Sequence, residues 1–457
     1  MEHPAVTSWL HDRCIDASYA DSRGETFLHQ AVTENVACVQ RLIDLGVKPD
    51  SADKTGWSVL HEALSGPGHT PIVKLLIDRG AKGDTKTHSG LSILHTALEN
   101  VDKLKNLEST ESLCGKVQGR QIAAHQFVNS MSHPERLSDH ESRIIGALLG
   151  VHVGDSLGAT LEFAPHDLIA SDYPGGLRDL IGRGLLSWSA GQATDDTDMT
   201  RAVLLAYRDF QPGDDIARLS AENFLKWEDG DWPGRELGRR PKDIGEAVAD
   251  GLEKYRETRD PDHAGAGRGR AGNGSLMRCI PTGLLQTDPE TLIVESERIS
   301  RVTHDDKKCT VSCAAYNTIV SQLINGSSAA NAIAAGQHVA IALKSAQVNR
   351  AIELGKELSI ATMAKKGASP KLKDDGGGFV LDSLSIGIAA LLDRRGLEDV
   401  LVDVVRIGGD TDTNAAISGG LLGGRDGEDG IPLRWRTKLQ YGEEFKSIAL
   451  GLFRRSL

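Results

Sequence analysis

Several patterns are missing from this chain of 457 residues, and each absence excludes a class of protein. No apolar run approaches the ~18 residues that a membrane-spanning helix needs, and we expect no signal peptide. None of the six cysteines forms a CxxC pair, and no zinc-type pattern surrounds Cys309 and Cys313, which have i,i+4 spacing. We therefore expect buried free thiols, a cytoplasmic location and no membrane partner.

Basic charge and aromatic residues are also scarce. The formal net charge is -12, which argues against non-specific binding to nucleic acid. An acidic chain that binds an anionic ligand needs backbone N–H groups or a metal ion to supply the positive field. Aromatic residues make up only 4% of the chain, whereas there are 50 glycines, so small residues must do much of the packing. The length predicts two or three domains.

The N-terminal part contains internal repeats. The phrases GETFLH, GWSVLH and GLSILH begin at Gly24, Gly56 and Gly90, close to a period of about 33 residues. The phrases VQRLIDLGVKPD and VKLLIDRGAKGD follow the first two. These residues resemble the ankyrin repeat. The resemblance predicts that the inner helices pack through Leu28, Ala31, Leu60, Ala63, Leu94 and Ala97. It also predicts structural hydrogen bonds to the backbone of the neighbouring repeat from His29, His61 and His95.

The remainder of the chain has helical periodicity, for example in MTRAVLLAYRDF and LDSLSIGIAALLD, and few convincing strands. We predict an all-α protein in which an ankyrin-repeat array precedes a compact helical domain with Gly-rich loops. The predicted boundaries are 1–112 for the repeats, 113–138 for a linker and 139–457 for the helical domain.

Two carboxylate clusters lie where predicted helices begin: TDDTD at 194–198 and DTDTN at 410–414. Asp and Thr are good N-caps, so helix capping is one interpretation, but one cap needs only one or two such side chains. Carboxylates packed closely repel each other unless they are protonated or bound to cations. Oxygen ligands without nearby His or Cys fit a hard ion such as Mg²⁺, Mn²⁺ or Ca²⁺. Both interpretations remain open on these residues alone.

The segments GDSLGATLEF, TDDTDM, GNGSLMR, THDD and GGDTDTN occur in this order. Together they resemble the ADP-ribosylglycohydrolase family, which includes the dinitrogenase reductase-activating glycohydrolases, over nearly all of residues 140–457. The resemblance implies an all-α fold with two Mg²⁺ or Mn²⁺ ions in a cleft. The implied reaction is hydrolysis of the glycosidic bond that links ADP-ribose to a protein side chain, often arginine.

The resemblance also implies roles for individual residues. The implied metal ligands are Thr194, Asp195, Asp196, Asp410, Asp412 and Thr413. The implied catalytic groups are Glu162 and Asp196. The implied contacts to ADP-ribose come from Gly272, Asn273, Gly274, Ser275, His304 and Phe379. The family often has Tyr where this chain has Phe379, so stacking on adenine is kept and a hydroxyl is lost. Asp155 is expected to hold loop geometry.

Other functions stay open at this point. The same fold could act on serine-linked, polymeric or small-molecule ADP-ribose conjugates. A catalytically inactive scaffold that binds ADP-ribose or protein is another alternative, although the complete set of ligand residues argues against it. A pure interaction module would leave the acidic clusters unexplained. The expected partner is an ADP-ribosylated protein, recruited by the ankyrin repeats.

Overall fold

The structure is a computed structural model that describes residues 24–32, 36–44, 47–65, 72–73, 75–76, 79, 81–82, 87, 137–373 and 377–454. The chain divides into two compact units, Met1–Arg136 and Leu137–Leu457, and each is described by itself. The predicted repeat residues Leu94, His95 and Ala97 lie outside the described residues. The boundaries of the predicted linker stay a prediction.

The described residues are helical, with isolated β-bridges in place of strands, which confirms the predicted all-α class. Numbered in chain order, the helices of the first unit are α1 (Phe27–Ala31), α2 (Val36–Asp44) and α3 (Val59–Ser65). Those of the second unit are α4 (Asp139–Gly158), α5 (His166–Asp172), α6 (Asp195–Asp209), α7 (Ile216–Glu228), α8 (Glu246–Thr258), α9 (Ile280–Leu285), α10 (Pro289–Arg301), α11 (Lys307–Ile324), α12 (Ala329–Ala342), α13 (Ala346–Glu357), α14 (Ile360–Lys366), α15 (Val380–Leu392), α16 (Leu397–Val405), α17 (Thr411–Asp426), α18 (Leu433–Arg436) and α19 (Gly442–Phe453). A 3-10 turn covers Glu428–Gly430.

The first unit has its own small apolar core. The predicted inner-helix residues Leu28 and Ala31 in α1, and Leu60 and Ala63 in α3, are all buried in one cluster. That cluster also contains residues that follow each inner helix, such as Val39 and Leu42 on α2, which explains the apolar spacing of the second repeated phrase.

The repeated histidines stabilise turns in this unit. The backbone N–H of Thr26 donates to Nδ1 of His29 at 3.1 Å, so Nε2 carries the proton and donates to the carbonyl of Trp57 in the next repeat at 3.3 Å. The predicted bond from His29 to a neighbouring backbone is therefore confirmed. His61 repeats the local contact, with its Nδ1 accepting from the N–H of Ser58 at 3.1 Å.

In the second unit, α4 and α17 touch through their backbones. A Cβ added to any of the four glycines on the contacting face of α4 would lie 2.0–2.4 Å from a backbone atom of segment 411–427. These glycines are Gly146, Gly150, Gly154 and Gly158. Real Cβ atoms do not approach so closely, so only glycine lets the two helices pack at this distance.

The two helices run antiparallel, which brings the end of α4 to the start of α17. Gly158 faces Thr411, and the Thr411 hydroxyl donates to the Gly158 carbonyl at 2.8 Å. Beyond α4 the chain stays beside the same loop, because the Phe163 N–H donates to the carbonyl of Gly409 at 2.8 Å. The GDSLGATLEF and GGDTDTN segments are therefore neighbours in space.

Two further expectations can be compared with the described residues. The thiols of Cys279, Cys309 and Cys313 are buried and free, as expected. Within the described ranges, no helix combines the length and the apolar character that crossing a membrane requires.

The contact between α4 and α17 should tolerate no side chain. We expect Gly150→Ala to lower the free energy of unfolding by about 1–3 kcal/mol, because its Cβ would meet the Gly419 carbonyl oxygen at 2.1 Å. Gly451→Ala is the matched control, since Gly451 lies in α19 with open space around it and alanine favours helix. Thermal melts of the two variants measure the difference. Equal melting temperatures would contradict the close contact.

Candidate metal and ligand site

The first acidic cluster is held in place by a buried aspartate on α4. Asp155 accepts hydrogen bonds from the backbone N–H groups of Thr194 at 3.1 Å and Thr197 at 3.2 Å, and from the Thr197 hydroxyl. The Thr194 hydroxyl caps α6 by accepting from the N–H of Asp196 at 3.4 Å. The Thr194 hydroxyl therefore caps α6, while Asp155 fixes the first turn of α6 against α4.

The second cluster begins α17, where Oδ1 of Asp412 accepts from the N–H of Thr413 at 2.9 Å. Asp410 occupies the N-cap position without a capping hydrogen bond from its side chain. Its Oδ2 instead accepts from Nδ2 of Asn273 at 2.7 Å. The Thr413 hydroxyl donates to Oδ2 of Asp196 at 3.3 Å, across a sequence separation of 217 residues. The starts of α6 and α17 therefore lie close together. This proximity is necessary if the two clusters are to bind the same ions.

Carboxylates from four parts of the chain line one cavity of about 260 Å³. Apart from Glu246, which pairs with Arg270, the acidic residues lining it are Glu162, Asp195, Asp243, Asp410 and Asp412, with Thr413 beside them. One carboxylate oxygen from each of Glu162, Asp243 and Asp412 lies within 4.8 Å of the other two. In the described parts of the chain, no Lys or Arg forms a salt bridge with these groups. A cation shared by the carboxylates would offset their repulsion.

Burial and mutual repulsion raise the pKa values in this cluster. Burial, followed by the charges of Asp243 and Asp410, raises the pKa of Glu162 to about 8. Burial is also the main reason why the pKa values of Asp195 and Asp412 lie well above their usual range. Burial therefore favours the protonated form of these carboxyl groups unless a cation takes the place of the protons.

Three buried carboxylate oxygens have no hydrogen-bond partner among the described atoms: Oδ1 of Asp155, Oε2 of Glu162 and Oδ1 of Asp196. Unpartnered buried oxygens are unfavourable unless a ligand or ion satisfies them. A donor set made only of carboxylate and hydroxyl oxygens suits Mg²⁺ or Mn²⁺. The residues present therefore fit the divalent ions that the resemblance implies.

The Gly-rich loop, residues 269–275, forms another wall of the same cavity. Gly272, Asn273 and Gly274 all line it. Nδ2 of Asn273 donates to Ser383 Oγ at 2.9 Å as well as to Asp410. Asn273 therefore connects the loop to the acidic cluster, so that a molecule held by the loop would lie beside the carboxylates.

His304 lines the cavity behind this loop. A Cβ on Gly274 would lie 3.0 Å from Cε1 of His304, so the loop and the ring are in close contact. Burial, assisted by the charges of Arg278 and Arg270, lowers the pKa of His304 to about 3. The ring is therefore neutral at physiological pH, with Nδ1 at 2.8 Å from the Thr303 hydroxyl.

Two residues expected to contact a ligand lie outside the lining of the cavity. Ser275 is buried, and its hydroxyl accepts from that of Ser300 at 2.9 Å. The ring of Phe379 is half-buried beneath the ammonium group of Lys373, at 4.4 Å from the centroid, and its backbone pairs with Gly272. Ligand contacts from Ser275 and Phe379 stay predictions.

Sequence reasoning missed Asp243. It lies in the loop before α8, three residues ahead of the first helical residue, and it is half-buried in the acidic cavity. A single aspartate in a loop carries no local pattern that distinguishes it from a turn residue. Only its position near the start of a helix could have drawn attention to it.

Sequence reasoning also assigned no role to Arg278, the last residue of GNGSLMR. Its guanidinium group is fully buried and donates to the Gly274 carbonyl at 2.9 Å and to the Thr303 hydroxyl at 2.6 Å. It lies 4.4 Å from the centroid of the Phe224 ring. Arg278 thus fixes both the Gly-rich loop and the residue before His304, and it places a positive charge behind them.

The third aspartate of TDDTD has a different task from its neighbours. Oδ2 of Asp198 accepts from the indole N–H of Trp227 at 3.0 Å, and Oδ1 accepts from Trp232 at 2.8 Å and from the Tyr441 hydroxyl at 2.9 Å. Both tryptophans belong to the WEDGDWP segment, which begins the loop that carries Asp243. Asp198 therefore anchors this loop beside the acidic cluster.

Comparison with known proteins identifies two matching family models. The model described as ADP-ribosylglycohydrolase matches residues 136–456, and the model described as ankyrin repeats (3 copies) matches residues 2–87 and 28–122. A solved structure titled "ADP-ribosylglycohydrolase-related protein complex" is 26% identical, with a TM-score of 0.58, and the match covers 70% of this chain and 99% of that one.

Individual relatives are similar to about two thirds of the chain. The ADP-ribosyl-[dinitrogen reductase] glycohydrolase of Rhodospirillum rubrum is 29% identical over 303 residues, which is 65% of this chain and 90% of the relative. The ADP-ribosylarginine hydrolase Tri1 of Serratia proteamaculans is 27% identical and covers 67% of this chain and 78% of its own length. The ADP-ribosylhydrolase ARH3 of Danio rerio is 28% identical and covers 68% and 90%, respectively.

Without divalent ions, the stability of the chain should fall as the pH rises. The pKa values of Asp155 and Glu162 are raised from 3.8 and 4.5 to about 7 and about 8. At pH values between the ordinary pKa values and the raised ones, the folded chain binds more protons than the unfolded chain. The free energy of unfolding therefore falls as the pH rises through about 4 to 8. In EDTA, we expect these two groups to make the melting temperature fall as the pH rises over this range. Mg²⁺ or Mn²⁺ should raise it at pH 8 by about 2–5 °C.

Two variants make this measurement specific. Asp412→Asn should lose most of the rise in melting temperature that the ion causes. Asp167→Asn is the matched control, because Asp167 is exposed on α5 and lies outside the acidic cavity. If Mg²⁺ and Mn²⁺ leave the wild-type melting temperature unchanged at pH 8, the cluster does not bind these ions.

Proposed function

Because this chain belongs to the ADP-ribosylglycohydrolase family, we propose that it is a metal-dependent hydrolase that removes ADP-ribose from a modified arginine side chain of a protein. The observation that carries this proposal is the convergence of two acidic helix starts and Glu162 on one cavity beside the Gly-rich loop. An array of oxygen ligands next to a candidate anion-binding loop suits a substrate that contains both ribose hydroxyls and a diphosphate.

Two Mg²⁺ or Mn²⁺ ions are the proposed cofactors. The proposed ligands are Thr194, Asp195, Asp196, Asp410, Asp412 and Thr413. We add Asp243, because one of its carboxylate oxygens lies within 4.8 Å of an oxygen of the proposed ligand Asp412. When bound, the ions would supply Lewis acidity toward ribose hydroxyls and lower the pKa of a bound water.

The ADP-ribose is assigned to the Gly-rich side of the cavity. The diphosphate needs a positive field that this acidic chain lacks overall. We assign its binding to the backbone N–H groups of Gly272 and Gly274, with the buried charge of Arg278 behind them. Neutral His304 offers a hydrogen bond without adding charge. The adenine would stack on Phe379, as expected from the sequence.

Glu162 is the better of the two expected proton carriers. It lines the cavity and is half-buried, whereas Asp196 lies outside the lining, is 1% exposed and is bonded through Oδ2 to Thr413. In the proposed reaction, water forms a bond to the anomeric carbon as the C–N bond to arginine breaks. Glu162 takes a proton from the water and passes it to the departing guanidine nitrogen, so that the arginine side chain leaves as guanidinium.

The names of some relatives favour arginine as the linked residue. The Serratia proteamaculans and Pseudomonas putida proteins are named ADP-ribosylarginine hydrolases. The ARH3 relatives are named only as ADP-ribosylhydrolases. Serine-linked, polymeric and small-molecule conjugates therefore remain the alternatives that the substrate test must include. An inactive scaffold is disfavoured, because every implied acidic ligand is present and buried or half-buried at the site.

Hydrolysis assays test the proposal. With Mg²⁺ or Mn²⁺, the wild-type chain should release ADP-ribose from ADP-ribosyl-arginine faster than from a serine-linked compound, and EDTA should abolish the release. Asp412→Asn should lower turnover by about 10²-fold, because the position of an ion depends on a complete ligand set. Asp167→Asn should retain activity. Wild-type turnover in a folded Asp412→Asn variant would show that this acid is only structural.

The ankyrin repeats are proposed to recruit the ADP-ribosylated protein, because such arrays present a protein-binding face. A chain that begins at Ser138 keeps the cap of α4, in which Ser138 and Glu141 bond reciprocally. We expect this chain to cleave ADP-ribosyl-arginine normally and to be slower only on a protein target, through weaker binding. A melt verifies folding. If the folded truncated chain fails on the small compound, the repeats are needed for catalysis and recruitment is the wrong explanation.

A further inference from the structure

A second cavity of about 580 Å³ adjoins the acidic one. The two share Asp195 and Asp243 in their linings, whereas no residue of the Gly-rich loop lines the second cavity. Its size is within the range of protein binding pockets. Its lining comes chiefly from the loop that Asp198 anchors and from residues 188–195, and its side chains include Trp188, Arg235, Arg239, Arg240, Lys242 and Tyr441.

The rim of this cavity is basic in a chain whose formal net charge is -12. Arg239, Arg240 and Lys242 are exposed, and the exposed acid beside them is Glu236. The Arg240 side chain is 76% exposed, and its ion pair with the buried Glu228 is long, at 3.5 Å. Across the described residues, Arg239 and Lys242 have no carboxylate within salt-bridge distance. These cations are therefore available to a negatively charged partner.

Arg235 and Lys242 help to fix the shape of this loop. Arg235 donates to the carbonyls of Trp227 and Arg239, and its guanidinium group lies 5.8 Å from the centroid of the Trp227 ring. The ammonium group of Lys242 lies 5.2 Å from the ring centroid of Trp188, which positions it over the cavity wall. Glu228, the ion-pair partner of Arg240, also pairs with Arg256 at 2.9 Å, so Arg239 and Arg240 can be changed with little effect on the loop.

The position of the cavity indicates what it holds. On the proposed function, on which this inference rests, ADP-ribose occupies the Gly-rich side and the bond to be cleaved lies at the carboxylates. The polypeptide that carries the modified residue must then extend away from the Gly-rich loop, past Asp195 and Asp243. We propose that the second cavity binds the polypeptide flanking the modified residue and selects acidic side chains there, through Arg239, Arg240 and Lys242.

Peptides that differ only in their flanks test this inference. Arginine-ADP-ribosylated peptides with Glu, Gln or Lys beside the modified residue are compared as substrates of the full chain with Mg²⁺. The wild type should have a kcat/KM on the order of 10-fold higher for the Glu peptide than for the Gln peptide at low ionic strength, and salt should reduce this ratio. In an Arg239→Gln, Arg240→Gln double variant the ratio should approach one.

Charge reversal and a control sharpen the comparison. Arg239→Glu with Arg240→Glu should invert the preference toward the Lys peptide. Arg350→Gln with Lys365→Gln removes two exposed cations on α13 and α14, outside both cavities, and should keep the wild-type ratio. A wild-type ratio near one, or an acidic preference that survives charge reversal, would overturn the inference while leaving the proposed hydrolysis intact.

Binding of the unmodified peptides separates this inference from the proposed function. If no ADP-ribosyl compound is hydrolysed, fluorescence anisotropy still decides: binding of the Glu peptide that is lost in the double Gln variant supports an acidic-peptide site. Absence of binding overturns it. Inorganic phosphate that displaces the Glu peptide at equal concentration would also overturn it, since the cavity would then be an unselective anion site.

Discussion

The backbone contact between α4 and α17 is the constraint on which the site depends. Four glycines at every fourth position of α4 remove the side chains that would otherwise separate the helices. The antiparallel arrangement then sets the end of α4, followed by Glu162, against the start of α17, where Asp410 and Asp412 lie. Since Asp155 on the same α4 holds the first turn of α6, one helix positions all three acidic segments.

Bringing these carboxylates together opposes folding, and the surrounding structure compensates only in part. Asn273 donates to Asp410, and the Thr413 hydroxyl donates to Asp196, but Oε2 of Glu162 and Oδ1 of Asp196 remain without partners in the described residues. Burial raises the pKa values of Glu162 and Asp196, so these carboxylates hold protons more tightly when no metal ion is bound. A cluster that is costly to assemble and incompletely satisfied is typical of a functional site, where charge is organised for a ligand.

The loop that carries Asp243 divides the space around the carboxylates into two chemically different sides. One side has the Gly-rich loop, a neutral His304 and the buried charge of Arg278, which suit a diphosphate. The other side has a basic, exposed rim, which suits an acidic polypeptide. Asp198 supports this division through three hydrogen bonds, although its place in the TDDTD motif would equally suggest a metal ligand.

The sequence alone determined the helical class, the ankyrin repeats with the role of His29, the acidic motifs and the family. Each of these is a local pattern at a fixed spacing, so it can be recognised without knowing which segments meet. Only the tertiary structure decided that the two acidic clusters converge, that Asp198 anchors a loop, that Asp243 joins the carboxylates and that Ser275 and Phe379 lie outside the cavity lining. These facts follow from contacts between segments far apart in the chain. Isolated residues such as Asp243 leave no periodic signal, because their position depends on the packing of α4 against α17 and on the anchored loop.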